Sequence, residues 1–327
     1  MQQSSFDRKS ELDAFKEVNL TVIASENGYR VVKQKSTRHS ILMASPNDKI
    51  IVSKNGRHYI YCSVFNESSN GTAIDFAYNI IEPGASLGRV RQILRPYLDG
   101  AFVASVERKN KGKYANKIHP SSVDLMAIAA RMAKFEPIIS HHPYLCDERR
   151  IPLELLKSER LKGCVFRCPN NGSAVFPHWG VPDGDATNAA RCVTGYEIKS
   201  DGVNLFSSRG RKGLWASRAY TSDRILVFCE SAIDALSYLV LNPSKVTRVV
   251  SVSGQLNSCQ HQLINLAIEK MAGSSLVVAG FDSDRHGDAL SEKLSTMVSH
   301  CHNDKQFLDR RPSQSGWDWN QVLSLTK

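Results

Sequence analysis

The amino-acid sequence predicts an α/β C-terminal domain, with a parallel sheet flanked by helices, preceded by an α+β N-terminal module and a β-rich middle module. In the last third of the chain, short apolar runs alternate with helical patterns, which is typical of a parallel sheet covered on both faces. The first hundred residues mix strand and helix patterns, whereas residues 143–215 alternate turn residues with short apolar pieces. These patterns predict the boundaries 1–105, 106–137, 138–221 and 222–327, where 106–137 is a basic linker or helical segment.

The N-terminal module begins with an amphipathic helix pattern over residues 11–26, and Gly28 is a typical helix stop. Asn55 and Gly56 lie between two β-prone pieces, which predicts a hairpin. Two further helices are expected at residues 72–81 and 87–98. The expected strands are residues 29–32, 40–44, 49–53 and 58–62.

The linker is polar and basic, and it carries three closely spaced lysines, Lys109, Lys111 and Lys113. We interpret this stretch as an exposed segment that follows the phosphates of a nucleic-acid strand. A short helix is expected over residues 123–133. The expected strands of the middle domain are residues 165–166, 174–176, 195–198 and 202–206.

In the C-terminal domain, two apolar runs end in carboxylates. The run 225–229 is followed by Glu230, and a later run that ends at Phe281 is followed by Asp282 and Asp284. Ligands bind at the carboxyl edge of a parallel sheet, so we expect these acids to meet there. The expected strands are 225–229, 247–252 and 275–281, and the expected helices are 232–241, 258–271 and 288–298.

Composition and charge favour a polyanionic partner. The 327-residue chain is 42% hydrophobic and 23% charged, as in ordinary globular proteins, and its formal net charge is +10. An excess of base favours nucleic acid, although many basic proteins bind none. No apolar stretch approaches the ~20 residues that span a bilayer, and residues 1–10 lack an apolar signal core. We therefore expect a cytoplasmic protein with no membrane partner.

Four acids form the predicted catalytic centre: Glu230, Asp234, Asp282 and Asp284. Asp234 lies one helical turn after Glu230, and Asp282 and Asp284 share one side of an extended chain. Clustered carboxylates repel one another, and a divalent cation removes that penalty. The pattern therefore predicts Mg²⁺, or Mn²⁺, in the service of phosphate chemistry. Alternatively, Glu230 and Asp234 only cap a helix N-terminus, where the helix dipole favours acids.

Several segments resemble the motifs of TOPRIM domains, which occur in bacterial primases, topoisomerases and some nucleases. Residues 229–237 are similar to the E-G-x-x-D-x-L-S motif, but Ser231 replaces the usual glycine, so the turn is looser or carries a hydroxyl near the metal. Residues 281–287 are similar to the D-x-D-x-x-G motif, and residues 252–254 fit the small-residue turn between the two motifs. Motif order, spacing and strand context agree over residues 222–325.

The TOPRIM resemblance implies a role for each acid. Glu230 would be a metal ligand or general acid/base, Asp282 and Asp284 would hold Mg²⁺, and Asp234 would be a supporting acid. His286, two residues beyond Asp284, is a candidate accessory residue.

A late segment, residues 317–323, resembles the K-D-W-N-x-x-L signature of primase-type TOPRIM domains, with Gly316 and Trp317 in place of the basic residue. Asp318 is therefore a second candidate accessory residue. Alternatively, Asp318 caps a C-terminal helix that is anchored by tryptophan.

The N-terminal module resembles the end of a primase zinc-binding domain at residues 59–62 and 70–76. The zinc tetrad of that family cannot form, because Cys62 is the single cysteine of this region. The resemblance implies a zinc-less relative that keeps the β-sheet scaffold and contacts a single-stranded template. An unrelated α+β module is the alternative. We also expect no zinc site at Cys164, Cys168, His178 and Cys192, because paired C-x2-C knuckles are absent.

The middle domain resembles a domain of unknown function that precedes TOPRIM in proteins of plasmids and conjugative elements. The similar residues are 144–145, 149–152, 175–178 and 212–215. A basic loop in this region contains Arg209, Arg211 and Lys212, which could hold a strand phosphate or a triphosphate. Trp215 could stack on a base. The alternatives are a solvated basic loop and a core tryptophan.

The leading hypothesis is an Mg²⁺-dependent primase-like nucleotidyltransferase that acts on single-stranded DNA in the replication or transfer of a mobile element such as a plasmid. Its expected partners are DNA, nucleoside triphosphates, and a helicase or other replication protein. One alternative is a TOPRIM nuclease or nickase that uses the same metal site to cleave phosphodiesters. The other is a non-catalytic DNA-binding replication factor, since a shared fold does not determine activity.

Overall fold

The computed structural model describes residues 3–66, 69–99, 118, 123–182, 191–301 and 304–326. Its contacts divide the chain into two compact units, Met1–Ser122 and Val123–Lys327. The predicted middle and C-terminal domains therefore lie within the same compact unit, while the finer boundaries stay a prediction. Within the described ranges, no helix combines the length and the apolar character needed to cross a membrane.

The N-terminal unit contains an antiparallel sheet in the order β1-β2-β3-β4-β5. The predicted helix over residues 11–26 is instead two helices, because Asn19 interrupts it and its side chain caps the second helix at Thr21. The strands are β1 Arg30–Val31, β2 Ser40–Ala44, β3 Lys49–Asn55, β4 His58–Ser63 and β5 Asn70–Gly71. The helices are Gln3–Glu17, Leu20–Glu26, Ala73–Phe76 and Leu87–Leu94, with a π-helical turn at Ala77–Ile81 and a 3-10 turn at Arg95–Leu98.

The primase-like segment 70–76 is a tightly built helix start. Gly71 has φ +130°, and an added Cβ would meet the Asp75 carboxylate at 2.3 Å. The same carboxylate accepts hydrogen bonds from the backbone N–H of Thr72 at 2.7 Å and from its hydroxyl at 2.9 Å. Phe76 is buried against Tyr61, with 5.1 Å between the ring centroids. Residues 70–76 of this chain therefore serve to cap the helix and to pack it against the sheet.

The second unit contains an antiparallel sheet in the order β10-β9-β8-β7-β6, which agrees with the predicted β-rich middle region. The strands are β6 Glu136–Pro137, β7 Phe166–Arg167, β8 Ala174–Gly180, β9 Cys192–Ser200 and β10 Val203–Phe206. Helices at Leu125–Met132 and Leu153–Leu156 and a π-helical turn at Tyr144–Glu148 accompany it.

The C-terminal sheet has the order β11-β13-β12-β14-β15. Strands β12 to β15 are mutually parallel, as predicted, but β11 pairs antiparallel with β13, so the sheet is mixed. The prediction of a purely parallel sheet missed this edge because β11 is only two residues long. The strands are β11 Trp215–Ala216, β12 Ile225–Cys229, β13 Thr247–Ser251, β14 Leu276–Ala279 and β15 Gln306–Asp309.

Helices cover both faces of this sheet. Successive strand residues point to opposite faces, so Val227 and Phe228 belong to different hydrophobic clusters. One face packs against the helices Ala232–Leu241 and Trp319–Leu325, and the other against Ser258–Glu269 and Arg285–Cys301. The parallel strands therefore end together at one edge, where the predicted acids follow.

Trp215, in edge strand β11, is the largest fully buried side chain near this sheet. Its relative exposure is 0%, its indole N–H donates to the carbonyl oxygen of Cys164 at 2.7 Å, and its ring lies 6.1 Å from that of Phe176. We expect Trp215→Ala to lower the free energy of unfolding by about 3–5 kcal/mol, because it removes this packing and leaves a cavity. Guanidinium denaturation measures the change. Trp179→Ala, at a half-exposed tryptophan, is the control with a smaller expected loss. Equal stability of the Trp215 variant and the native protein would contradict a core role.

Candidate metal centre

The predicted acids follow neighbouring parallel strands. Glu230 comes directly after β12, and Asp282 and Asp284 come shortly after β14, whose Ala279 pairs with Phe228 of β12. Burial raises the pKa of Asp282 to about 9, reinforced by the negative charges of Asp234, Glu230, Asp318 and Asp284. The charges of these four acids therefore act on Asp282, and we refer to Glu230, Asp234, Asp282, Asp284 and Asp318 together as the acidic cluster.

Two oxygens of this cluster lack hydrogen-bond partners. Glu230 Oε2 and Asp282 Oδ1 are buried, and neither has a partner among the residues that the structure describes. His286 Nδ1 lies 3.1 Å from the other oxygen of Glu230. Unpaired buried carboxylate oxygens are the ligand type that Mg²⁺ or Mn²⁺ prefers, so the donor set fits such an ion. As the side chains stand, the described residues contain no group of three or more His, Cys, Asp or Glu that could hold a metal ion.

The turn that carries Asp282 and Asp284 is held by backbone contacts. Ser283 N–H donates to Trp317 O at 2.9 Å, and Gly287 N–H donates to Asp284 Oδ1 at 2.8 Å. A Cβ on Gly287 would lie 2.0 Å from the carbonyl oxygen of Asp282. The glycine of the D-x-D-x-x-G pattern is therefore required by the close approach of two backbone segments.

Asp234 is a structural partner of the turn after β12. It is buried, and its Oδ2 accepts a hydrogen bond from the Ser231 hydroxyl at 2.5 Å. Burial raises the pKa of Asp234 to about 6, with a further contribution from the charge of Asp318. Ser231 is extended, with φ −121°, so this turn needs no glycine. The extra hydroxyl expected here is thus directed at Asp234.

Asp318 occupies the helix-capping position that was the alternative interpretation, and its accessory role at the site stays a prediction. It caps the helix Trp319–Leu325, accepting from Gln321 N–H at 2.6 Å, and its charge also acts on Asp282. The next residue, Trp319, donates its indole N–H to Gly280 O at 2.9 Å, just before the Asp282 turn. The segment therefore anchors the turn while it adds a carboxylate to the cluster.

Asn320 is a site residue that sequence reasoning missed, although it belongs to the D-W-N pattern. Its backbone N–H donates to Asp234 Oδ1 at 3.3 Å, and its side-chain amide donates to Arg149 O at 2.8 Å and to Ser237 Oγ at 3.0 Å. It thus links the C-terminal helix to Asp234 and to the segment around Arg149.

The three cations of the basic loop differ in their surroundings. Lys212 Nζ donates to Gln255 O at 2.5 Å; burial lowers the pKa of Lys212 to about 8, against the opposing charges of Glu197 and Glu230. Of the three loop cations, Lys212 is therefore the one whose pKa is affected by an acid of the cluster, Glu230. Arg211 donates to backbone carbonyls of residues 181 and 182, and Arg209 pairs with Asp124 at 3.2 Å.

Two other predicted contacts with nucleic acid have different outcomes. Trp215 is fully buried, so it presents no surface on which a base could stack, and the core alternative is correct. Lys109, Lys111 and Lys113 lie outside the described residues, and their role stays a prediction.

A buried polar network in the same unit was not predicted. Glu197 of β9 accepts from the Ser253 hydroxyl at 3.1 Å, and its Oε2 lies 3.6 Å from His178 Nε2 and 3.8 Å from Lys199 Nζ. Gly254, beside Ser253, donates its N–H to Glu230 O at 3.1 Å. The network therefore supports the turn that contacts Glu230. Its sequence signal was the alternation of Glu197 and Lys199 in an otherwise apolar strand.

One comparison with known proteins concerns the C-terminal part of the chain. Residues 227–323 match the Toprim-like family. The Toprim-like region thus contains all five acids of the cluster. Among solved structures, a primase fragment of the bacteriophage T7 primase-helicase protein is similar at 15% identity and a TM-score of 0.37, over 64% of this chain and 80% of that one. No curated protein matches the chain significantly.

The close approach at Gly287 predicts a selective effect of one methyl group. Gly287→Ala should displace the Asp282 turn, since the new Cβ cannot occupy a point 2.0 Å from a carbonyl oxygen. We expect a loss of about 1–3 kcal/mol in unfolding free energy and weaker Mn²⁺ binding, measured by calorimetry. Gly273→Ala is the matched control, because its Cβ would meet nothing closer than 3.9 Å. If a folded Gly287→Ala variant binds Mn²⁺ with unchanged affinity, the Asp282 turn takes no part in metal binding.

Acid should weaken the network around Glu197. Burial alone would raise the pKa of this carboxyl, but the contact with His178 and the charge of Lys199 lower it from 4.5 to about 2. The resulting stabilisation is fully present above about pH 4.5 and is lost as the pH falls toward 2. We expect Glu197→Gln to remove roughly 3 kcal/mol of this acid dependence, measured as unfolding free energy against pH. Glu148→Gln, at an exposed position, should leave the profile unchanged.

Proposed function

We propose that the protein is a metal-dependent nucleotidyltransferase of the primase type, which joins nucleotides on a single-stranded DNA template. The observation that supports this proposal is the group of acids at the carboxyl edge of the Toprim-like sheet, two of which keep a buried oxygen without a hydrogen-bond partner among the described residues. The charge of Glu230 also acts on Lys212. Clustered carboxylates suit Mg²⁺, and the nearby lysine suits a phosphate.

The proposed reaction forms one bond and breaks another. The 3′-hydroxyl oxygen of the growing strand attacks the α-phosphorus of a nucleoside triphosphate, the bond to pyrophosphate breaks, and the hydroxyl proton leaves. Mg²⁺ held by Asp282, Asp284 and Glu230 would supply neutralisation of the phosphate charge.

The chain's own residues would position the reactants. Lys212 would donate to a phosphate oxygen in place of its contact with Gln255 O. The hydroxyl proton would be accepted by His286, whose Nδ1 lies 3.1 Å from Glu230 Oε1. The Glu197 network would keep the neighbouring turn in place.

A small polar cavity lies beside the cluster. It encloses about 220 Å³ and is lined by the carboxylates of Asp234 and Asp318 and the cations of Arg149 and Lys199, among others. Because ligand pockets usually enclose about 300–1,000 Å³, this volume suits a phosphate group rather than a whole nucleotide. Nucleotide transfer would place a phosphate of the triphosphate here and strand cleavage would place the phosphodiester, so the choice between the two reactions rests on the assay below.

A primer-synthesis assay tests the proposal. The native protein, labelled ribonucleotides, Mg²⁺ and a single-stranded oligonucleotide should give extended products, and chelation of the metal should abolish them. Asp284→Asn and Glu230→Gln should each lower the rate by about 100-fold or more. Asp201→Asn, an equal charge change in an exposed turn, is the control.

The same assay distinguishes the alternatives. A shortened template without primer would overturn the proposal in favour of a nuclease or nickase. Full biological activity in an Asp282→Ala and Asp284→Ala double variant would instead indicate a non-catalytic DNA-binding factor. The helicase partner and the mobile-element context stay predictions.

A further inference from the structure

A second and larger cavity opens beside the edge strand Trp215–Ala216. It encloses about 700 Å³, within the range of about 300–1,000 Å³ that is usual for ligand pockets. Its floor is apolar and includes Leu214, Ala216, Val250, Leu263 and Leu266. None of the five clustered acids lines it, so it is distinct from the candidate metal centre.

Positive charge surrounds this apolar floor. The lining includes the cations Lys162, Arg191, Arg218, Arg248 and Lys270, and it contains no Asp or Glu. Lys162 and Arg218 both contact Glu159, which lies outside the lining, at 3.1 and 3.0 Å. The other three cations of the lining are Arg191, Arg248 and Lys270.

Arg248 is the most informative of these cations. Its Nε reaches Ser217 O at a long 3.4 Å, and burial lowers the pKa of its guanidinium. Within the part of the chain that the structure describes, Arg248, Arg191 and Lys270 form no ion pair with an acid. Arg248 is half-buried, and the charge of Asp223 acts on it without forming an ion pair with it within the described residues. An anionic ligand in the cavity would supply the direct partner that this guanidinium lacks.

Trp179 adds a flat aromatic surface to the lining. Its side chain is 37% exposed, while its backbone is held by hydrogen bonds to and from Leu214 at 2.8 and 2.9 Å. A Cβ on Gly213 would lie 2.2 Å from Trp179 O, so the two backbone segments are in direct contact. The indole is thus presented from a rigid frame, as a stacking platform requires.

We propose that this cavity binds a nucleoside phosphate unit, with the base between Trp179 and the apolar floor and the phosphate on Arg248 and Lys270. An aromatic platform beside arginine and lysine is the combination that single-strand binders use, and stacking is tolerant of base identity. An acidic apolar peptide would also satisfy the cations, but it has no need of a stacking surface. The unit belongs either to a free nucleotide or to a single strand, and binding requires no metal.

Photolabelling without metal tests this site. An oligothymidylate that carries 5-bromodeoxyuridine, and separately 8-azidoadenosine triphosphate, are irradiated with the full-length protein in EDTA. The chelator removes the metal-dependent binding of the proposed function, so failure of one proposal is distinguishable from failure of the other. Peptide mapping should place the label on Trp179 or on residues 263–270.

Two variants and one control define the location. Ala267→Trp fills the cavity and Lys270→Glu reverses a charge at its rim, and each should lower labelling by about tenfold. Lys157→Glu makes the same charge change at an exposed position outside the cavity, and labelling should stay within about twofold. Should Ala267→Trp fail to fold, the exposed Lys270 variant still decides.

Each outcome has a defined meaning. Labelling by the oligonucleotide alone identifies a single strand as the source, and labelling by the azido nucleotide alone identifies a free nucleotide; both support the proposal. Label found only elsewhere, or unchanged in both variants, overturns it. Binding of a peptide of alternating leucine and glutamate, without any labelling by nucleotides, would overturn it in favour of a protein partner.

Discussion

The mutual repulsion of carboxylates at the ends of β12 and β14, where Glu230 and Asp282 are half-buried and Asp284 is exposed, is the constraint on which this part of the second unit depends. The negative charges of four other acids act on Asp282, which is also half-buried. Both effects penalise its charged form. Such a cluster persists only where the surrounding backbone holds it in place or a cation neutralises it. Glu230 and Asp282 each keep one buried oxygen that accepts no hydrogen bond from the described residues. Hydrogen bonding therefore offsets only part of the electrostatic cost of these carboxylates.

Contacts with other segments hold the turns that carry these acids in place. The Asp282 turn is enclosed by its own helix at Gly287 and by the segment that leads to Trp319. The Glu230 turn is held from the opposite side, through Gly254 and the Ser251 hydroxyl. Each acid therefore depends on residues far from it in sequence, and a substitution in the C-terminal helix can disturb a carboxylate forty residues away.

The antiparallel sheet of the middle region also contributes residues to the surroundings of these acids. It contributes Glu197, which accepts a hydrogen bond from Ser253, and the chain that follows it contributes Lys212, on which the charges of Glu197 and Glu230 act. It also delivers β11 to the edge of the Toprim-like sheet, and the large cavity forms where that edge meets the helix Ser258–Glu269. The acidic cluster and the cations of the large cavity thus lie on different parts of one compact unit.

The sequence alone determined the features that depend on local pattern. Apolar runs, turn residues and the spacing of carboxylates predicted β12, the helix after it and the meeting of Glu230 with Asp282, because parallel strands end at a common edge. Tertiary structure decided what depends on distant partners. The two residues of β11 are a strand only through their pairing with Ser251 and Val250, and the burial of Trp215 follows from that pairing. Likewise, Glu197 is bonded to a residue 56 positions away and Asn320 to one 171 positions away, and the cations of the large cavity come from several separate segments. No periodicity within one segment encodes such contacts.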